Sequence, residues 1–122
     1  HSGHFYFNDF WRADSGRLAA LYALAELMAS NSHFKVTKAY NRYVSSGEIN
    51  TKVKDVTKSI SRVRDKYHGE YQVDELDGLT ITADTWWFNL RPSNTEPLLR
   101  LNVEADTEKE MIKIRKAVLA LI

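Results

Sequence analysis

The dipeptide Asp77-Gly78 constrains the fold of this chain more than any other feature, because it stands between two strand-like segments. Apolar residues alternate with threonines over Leu79–Ala83, as in a strand with one buried face. An Asp-Gly pair between two such segments is a strong short-range signal for a β-hairpin. The sequence therefore predicts antiparallel strands over residues 71–76 and 79–83.

Further strands and helices are predicted around this hairpin. Apolar residues recur every three or four positions over Val53–Tyr67, which is typical of a surface helix. Helices segregated to one face of an antiparallel sheet make an α+β domain, and that is the fold class we expect. The expected elements are a strand over 48–51, a helix over 53–67, strands over 71–76, 79–83, 86–90 and 99–103, and a last helix after a capping box of Thr107 and Glu110.

The first part of the chain has a different pattern. Apolar residues 5–7 predict a strand, and residues 14–30 predict a helix capped by Asp14 or Ser15. A short helix is expected over 33–43. Ser45-Ser46-Gly47 then predicts a linker. A strand so near the first residue needs a partner, so we expect the chain to be cut from a larger protein.

Composition excludes several classes of site. The 122 residues contain 17 Lys or Arg and 16 Asp or Glu, so the net charge of +1 provides no field over the whole chain for a polyanion. Cysteine is absent, which excludes disulfides and thiolate-bound metals. Because the longest apolar segment is too short to span a bilayer, we expect no membrane partner.

The segment over residues 91–97 carries the clearest chemistry. A guanidinium offers paired planar donors to phosphate oxygens, hydroxyls donate without bulk, and an Asn can take the left-handed conformation that gathers amides around an anion. Two prolines restrict the backbone and lower the entropy lost on binding. Its residues are Arg91, Pro92, Ser93, Asn94, Thr95, Glu96 and Pro97.

Two other interpretations of these features stay open. Residues 91–97 could be a proline-braced turn with a surface pair of Arg91 and Glu96. The basic face of the helix over 52–66 could bind nucleic acid, with Trp86, Trp87 and Tyr71 as stacking surfaces, although a solvated helix face is the more common use of such residues. Nucleic acid is thus an unlikely partner.

Residues 91–97 resemble the phosphate-binding loop of the α-D-phosphohexomutases, and Asn94 is most similar to the phosphomannomutase/phosphoglucomutase branch. The first residues also resemble this family. His1-Ser2-Gly3-His4 matches the last four positions of its sugar-binding motif, Gly-Glu-x-Ser-Gly-His. The segment from Trp11 to Gly16, at which a helix begins, resembles the segment that follows this motif in members of the family.

The resemblance implies a division of the chain. Residues 1–32 would be the end of the family's third, α/β domain, and residues 33–47 a linker with a short helix. Residues 48–122 would be the C-terminal, TATA-binding-protein-like domain. The family's phosphoserine loop and its Asp-rich magnesium loop have no counterpart in this sequence. We therefore expect no metal ligand here, magnesium only in the full-length enzyme, and no activity from the fragment alone.

The resemblance also implies roles for individual residues. Arg91, Ser93, Asn94 and Thr95 would hold the phosphate that is not transferred. Ser2 would contact the sugar hydroxyls. His4 would lie near the transferring phosphate as a proton shuttle.

The implied function is the interconversion of hexose 1-phosphate and hexose 6-phosphate through a bisphosphate. Its partners would be a hexose phosphate and the remaining domains of a cytoplasmic parent enzyme, and Ser45-Ser46-Gly47 would be a hinge. A free-standing phosphate-binding module and an interaction domain that uses the basic helix are the alternatives.

Overall fold

A computed structural model describes residues 3–30, 32, 37–38 and 41–122. The chain divides into two compact units, His1–Arg42 and Tyr43–Ile122. The second unit therefore begins a few residues before the start at residue 48 that the sequence suggested. Most of the short helix predicted over 33–43 lies outside the described residues, and so does Ser2.

The first unit contains one described long helix, α1, over Gly16–Ser30. Its start agrees with the predicted cap, because the Oγ of Ser15 accepts a hydrogen bond from the amide of Leu18 at 3.2 Å. The helix is apolar on several sides, and none of its described residues is buried. Tyr22 and Met28, for example, are 66% and 78% exposed.

The strand predicted at residues 5–7 is reduced to a single antiparallel bridge between Tyr6 and Asp14. The chain reverses direction immediately after it, because the carbonyl of Phe7 accepts from the amides of Phe10 and Arg12, both at 3.1 Å. Arg12 takes a left-handed conformation with φ of 53° in this turn. The tight reversal leaves only a short stretch of backbone in register for pairing, so the prediction of a strand was wrong here.

The second unit is an antiparallel sheet with two helices, which confirms the predicted α+β class. The strand order is β1-β6-β5-β4-β3, and β2 also pairs with β6. The predicted hairpin is confirmed by the pairing of β3 with β4. The elements are β1 Val44–Ser45, β2 Ile49–Lys52, α2 Val56–Tyr67, β3 Gln72–Asp74, β4 Leu79–Thr82, β5 Trp86–Pro92, β6 Leu98–Ala105 and α3 Glu108–Leu119.

One face of the sheet is apolar and carries both helices. Phe88 pairs with Val103 and Leu90 with Leu101 on this face, and all four side chains are fully buried. They join one core cluster with the buried residues of α2 and α3. The buried residues of the helices are Ser59, Val63 and Tyr67 in α2, and Met111, Ile114 and Val118 in α3.

The opposite face of the sheet is polar. Residues 87, 89 and 91 of β5 alternate with the core residues and pair with residues 104, 102 and 100 of β6. Trp86 and Trp87 therefore point to opposite faces, as successive strand residues must. Trp86 is buried and stacks on Phe88, and the indole Nε1 of Trp87 donates to a carboxylate oxygen of Glu104 at 3.2 Å.

The predicted helix starts are only partly confirmed. Helix α2 begins at Val56 rather than at Val53, because the Oδ1 of Asp55 caps it by accepting from the amide of Lys58 at 2.9 Å. Helix α3 begins after Thr107, whose Oγ1 accepts from the amide of Glu110 at 3.3 Å. The carboxylate of Glu110 accepts from the hydroxyl of Thr85.

The segment Ser45-Ser46-Gly47 is part of the sheet edge and not a free linker. Ser45 belongs to β1, opposite Glu104. The amide of Ser46 donates to the carbonyl of Val103 at 2.8 Å, and its Oγ accepts from the amide of Val103 at 3.0 Å. Gly47, with φ of 65°, then turns the chain so that β2 continues along the same edge. Polar residues suggested a linker, but here their groups satisfy the backbone of β6, so this segment is unsuitable as a hinge.

Gly78 provides a test of the turn between β3 and β4. It takes φ of 74°, and a Cβ there would lie 2.7 Å from both the Cβ of Arg91 and the carbonyl oxygen of Leu90. We expect Gly78→Ala to lower the free energy of unfolding by about 2–4 kcal/mol, because conformational strain and a clash add. Urea unfolding measures this change.

Gly69→Ala is the matched control. Gly69 also has positive φ, at 89°, but nothing lies within 4 Å of its added Cβ. Gly69→Ala should therefore lower the free energy of unfolding only through conformational strain, by about 1–2 kcal/mol. Equal losses in the two variants would contradict the close approach of Gly78 to β5.

Candidate functional site

The loop that joins β5 to β6 is Ser93–Pro97, five residues long. The amide of Ser93 donates to the carbonyl of Leu98 at 2.9 Å and closes the loop at its base. Arg91 and Pro92, which the sequence placed in the loop, are the last two residues of β5. The motif over residues 91–97 is therefore partly strand, and its arginine has the fixed backbone of a sheet.

Two hydroxyl groups meet inside this loop. The Oγ of Ser93 and the Oγ1 of Thr95 lie 3.5 Å apart, and the amide of Thr95 donates to the Oγ of Ser93 at 3.4 Å. Residues 94–97 are exposed. The amide of Val53 donates to the carbonyl of Pro97 at 3.4 Å, which ties the loop to the end of β2. The loop thus carries two hydroxyls and the exposed carboxamide of Asn94 on a backbone that is held at both ends.

Asn94 does not take the left-handed conformation that the sequence suggested. Within the described ranges, the non-glycine residues with positive φ are Trp11 and Arg12. A five-residue hairpin loop is most often built around a type I turn, which needs no positive φ at its centre. Asn94 contributes an exposed carboxamide at the tip of the loop instead.

Arg91 lies on the polar face of the sheet and its side chain is 23% exposed. Its Nη2 is 3.4 Å from the Oε2 of Glu48, and its Nη1 is 4.0 Å from the Oδ2 of Asp77. Glu96, the partner expected from the sequence, is not among its ion pairs in the described part of the chain. The pairing of β2 with β6 brings Glu48 to Arg91, although 43 residues separate them in sequence.

In the first unit, His4 forms a dyad with Asp14. The Nδ1 of His4 is 2.5 Å from the Oδ2 of Asp14, while the Oδ1 of Asp14 accepts from the amide of Phe5 at 2.8 Å. The His4 side chain is 56% exposed. The hydrogen bonds from His4 and from the amide of Phe5 lower the pKa of the Asp14 carboxyl below its ordinary value of 3.8. Because Asp14 engages Nδ1, proton exchange with a substrate would use Nε2.

The described residues do not fit a metal site. Over the ranges that the structure describes, no three His, Cys, Asp or Glu side chains come together in a way that could hold a metal ion. No helix in the same ranges is long and apolar enough to cross a membrane.

The nucleic-acid alternative loses one of its stacking surfaces. Trp86 is only 8% exposed and lies in the core against Phe88 and Tyr67. The basic side chains of residues 52, 54, 58, 62 and 66 are exposed, as on a solvated helix face.

Comparison with known families identifies the second unit. Residues 48–121 match the model of the phosphoglucomutase/phosphomannomutase C-terminal domain. The chain belongs to this family. The phosphohexomutase relationship expected from the Arg91–Pro97 motif is thereby confirmed.

Individual relatives extend the match over both units. A phosphomannomutase of Methanocaldococcus jannaschii is 43% identical over 111 residues, which cover 90% of this chain and 24% of that protein. A phosphomannomutase of Escherichia coli is 38% identical over 99% of the chain and 27% of its own length. A solved phosphoglucomutase/phosphomannomutase family protein of Burkholderia thailandensis superposes with a TM-score of 0.73 at 25% identity, covering 98% of this chain and 26% of that one. This phosphohexomutase chain thus spans about a quarter of the length of the relatives it matches.

Sequence reasoning missed three carboxylates of the candidate site. The sequence suggested Asp14 only as a helix cap. Ser15 caps the helix instead, so the carboxylate of Asp14 binds the side chain of His4. Glu48 and Asp77 meet Arg91 only through sheet pairing and a turn, for which no local motif exists.

The dyad can be tested by titration. Above pH 3.8 Asp14 is ionised and accepts from His4, and the stabilisation this gives is lost as the pH falls through the lowered pKa. We expect His4→Ala to raise the Asp14 midpoint, because the largest cause of its lowering is removed. Carboxyl carbon NMR of Asp14 measures the midpoint. His68→Ala, which changes a histidine outside this unit, should leave it unmoved, and an unchanged midpoint in His4→Ala would contradict the dyad.

Proposed function

We propose that this chain is the C-terminal part of a phosphohexomutase that interconverts hexose 1-phosphate and hexose 6-phosphate through a bisphosphate intermediate. Its second unit binds the phosphate that is not being transferred. The observation that carries this proposal is the loop Ser93–Pro97, where two hydroxyls 3.5 Å apart are exposed beside the strand end that bears Arg91. The names of relatives, phosphomannomutase and phosphohexose mutases, support the reaction class.

The chemistry of the loop suits a phosphate monoester. Ser93, Thr95 and the Asn94 carboxamide supply neutral donors, and Arg91 supplies charge-assisted donors to two oxygens. Arg91 is held in place before any ligand arrives, since its backbone is in β5 and Glu48 binds its side chain. A donor that is already oriented loses less entropy when phosphate binds.

The proposed reaction needs a fixed binding site for the phosphate that is not being transferred. We call this site, formed by Arg91, Ser93, Asn94 and Thr95, the phosphate clamp. The bisphosphate has to turn around between two half-reactions, and one anion site that accepts either phosphate positions both orientations. Binding energy at the remote phosphate then orients the reacting end of the sugar.

His4 is the proposed proton carrier at the reacting end, and Ser2 a contact of the sugar hydroxyls. In the dyad, Asp14 holds the ring of His4 through Nδ1 and favours the tautomer that exposes Nε2 for proton transfer. Asp14 acts as a positioning residue in this proposal.

We expect the isolated chain to lack mutase activity. Phosphoryl transfer needs a phosphoryl donor and a group that neutralises developing charge, and the described residues do not fit a magnesium site. The assay is turnover of mannose 1-phosphate and of glucose 1-phosphate by the purified chain, with the full-length protein as the positive control. Turnover by the chain alone would overturn this part of the proposal.

Arg91→Ala tests the phosphate clamp in the full-length protein. Loss of a bidentate guanidinium should remove about 1.5–3 kcal/mol of charge-assisted hydrogen bonding, which corresponds to roughly 10- to 150-fold in kcat/KM. Part of this loss should fall on kcat, because the clamp positions the reacting end. Arg91→Lys should recover only part, since an ammonium lacks the planar fork.

Arg64→Ala is the matched control, because Arg64 is an arginine of α2 with its own carboxylate partners, Asp65 and Glu75. It should leave kcat/KM unchanged. The thermal midpoint is measured in parallel, since the half-buried Arg91 also binds Glu48. If Arg91→Ala stays within about threefold of wild type, or if it unfolds the protein, Arg91 is structural and the clamp assignment is wrong.

A further inference from the structure

A cavity of about 520 Å³ lies in the second unit, where β2 ends and α2 begins. This volume is within the range of about 300–1,000 Å³ that small-molecule sites usually have. Cationic side chains form a large part of its wall, and we call it the basic cavity. Its polar lining residues are Lys52, Lys54, Asp55, Lys58, Ser59 and Arg62. None of these residues belongs to the phosphate clamp, so the basic cavity is a separate feature of the surface.

The positive charge of the basic cavity is not neutralised by neighbouring carboxylates. In the described part of the chain, none of its four cationic side chains forms an ion pair with an Asp or Glu. Asp55 is also in the wall, but its Oδ1 accepts from the amide of Lys58 at 2.9 Å and caps α2. Four positive charges against one negative charge leave a surplus of three. Charges of one sign gathered around a cavity attract an ion of the opposite sign, so this surplus favours an anion.

The charge of α2 changes beyond the cavity. Arg64 follows Arg62 on the same helix, but it pairs with Asp65 and Glu75, both at 3.6 Å. The surplus is therefore concentrated at the cavity instead of continuing evenly along the helix. A nucleic-acid strand needs many cations along its phosphates, whereas a compact group of cations suits a small anion.

The guanidinium of Arg62 is held in place at the cavity. Its Nη2 donates to the Oγ of Ser59 at 3.1 Å, and Ser59 is only 2% exposed. The side chain of Ser59 makes no further hydrogen bond among the described residues, so its hydroxyl hydrogen is left for another acceptor. A guanidinium has five N–H donors, and the bond to Ser59 uses one of them. A cation that is oriented before the ligand arrives loses less entropy on binding.

A single phosphate group does not match this arrangement. A phosphate monoester carries nearly two negative charges at neutral pH, since its second pKa is about 6, and this leaves part of the surplus unmatched. The cations are also spread over two walls: Lys58 and Arg62 lie four residues apart on one side of α2, while Lys52 is the last residue of β2. We propose that the basic cavity binds a small ligand with a diphosphate group.

The diphosphate is the chemistry that the cations recognise, and it can be inorganic or attached to an organic group. Val53 and Ile122, both partly buried, also line the cavity and offer an apolar wall to an organic group. The amide of Val53 donates to the carbonyl of Pro97 at 3.4 Å, so this wall adjoins the loop Ser93–Pro97. The proposed site does not depend on the function proposed for that loop.

The experiment measures binding of inorganic pyrophosphate to the full-length protein by calorimetry. We expect Arg62→Gln to raise the Kd by about 5- to 20-fold and Lys58→Gln to raise it by about 3- to 10-fold, because each removes a charge-assisted contact. Arg64→Gln and Lys66→Gln are the matched controls, since they replace the same residue types on α2 outside the cavity. Both should leave the Kd unchanged.

The Arg91→Ala variant separates the basic cavity from the phosphate clamp. Pyrophosphate binding at the cavity should persist in this variant with an unchanged Kd. If Arg91→Ala abolishes the binding while Arg62→Gln and Lys58→Gln stay within twofold of wild type, pyrophosphate binds at the clamp and the proposal is wrong. A Kd above about 1 mM for the wild type would also overturn it.

Three further probes define the ligand. Inorganic phosphate should bind at least about tenfold more weakly than pyrophosphate, and equal binding would contradict the need for a diphosphate. Adenosine diphosphate should bind with the same sensitivity to Arg62→Gln. Tighter binding than pyrophosphate would support an organic diphosphate, and equal binding an inorganic one. A single-stranded oligonucleotide that binds more tightly than pyrophosphate, and that Lys66→Gln weakens as well, would replace the proposal with a nucleic-acid interface.

The Lys58→Gln variant keeps the test decisive if Arg62→Gln does not fold. Arg62→Gln removes the hydrogen bond to the buried Ser59, which can affect stability. The ammonium of Lys58 has no hydrogen-bond or ion-pair partner among the described residues, so its loss should not affect the thermal midpoint. Unchanged pyrophosphate binding in a folded Lys58→Gln variant would then overturn the site.

Discussion

The pairing of β5 with β6 is the interaction on which the rest of the second unit depends. Seven residue pairs, from Trp86 with Ala105 to Pro92 with Leu99, set the register of the two longest strands. Because side chains alternate along a strand, this register fixes both faces together: the apolar one receives the helices and the polar one carries the charged groups. A slip of β5 by one residue would place Arg91 in the core, and the same slip of β6 would place Arg100 there.

The same register determines where chemistry is possible. It ends the two strands at a five-residue loop, so the hydroxyls of that loop stand next to the last charged pair on the polar face. Glu48 reaches the pair because β2 adds to the free edge of β6, and the Ser46–Val103 hydrogen bonds keep that edge continuous from β1 to β2. The site is thus assembled from one hairpin and one edge strand, all of them rigid elements.

Local signals in the sequence were sufficient for most of this architecture. Alternation and the Asp77-Gly78 turn predict the central strands, because burial of one face and a turn of fixed geometry act within a few residues. They fail at Ser45-Ser46-Gly47, where polar side chains serve a long-range partner, and at residues 5–7, where hydrophobicity alone does not provide a strand to pair with. The candidate loop was predicted from its residue types, but Glu48 was not, because its contact with Arg91 depends on the pairing of distant strands.

The exposed tip of the loop and the strands beside it constrain the amino-acid sequence in different ways. Residues 94–97 are exposed, and the loop is closed and anchored mainly through backbone groups of Ser93, Leu98 and Pro97, which any side chain leaves intact. Substitutions at such surface positions usually change stability by less than about 0.5 kcal/mol. Substitutions at the tip should therefore hardly affect folding. Selection or design can change the neutral donors there, the Asn94 carboxamide and the Thr95 hydroxyl, one at a time. Arg91 and Arg100 cannot be moved in this way, since the pairing of β5 with β6 fixes the position of each on the polar face.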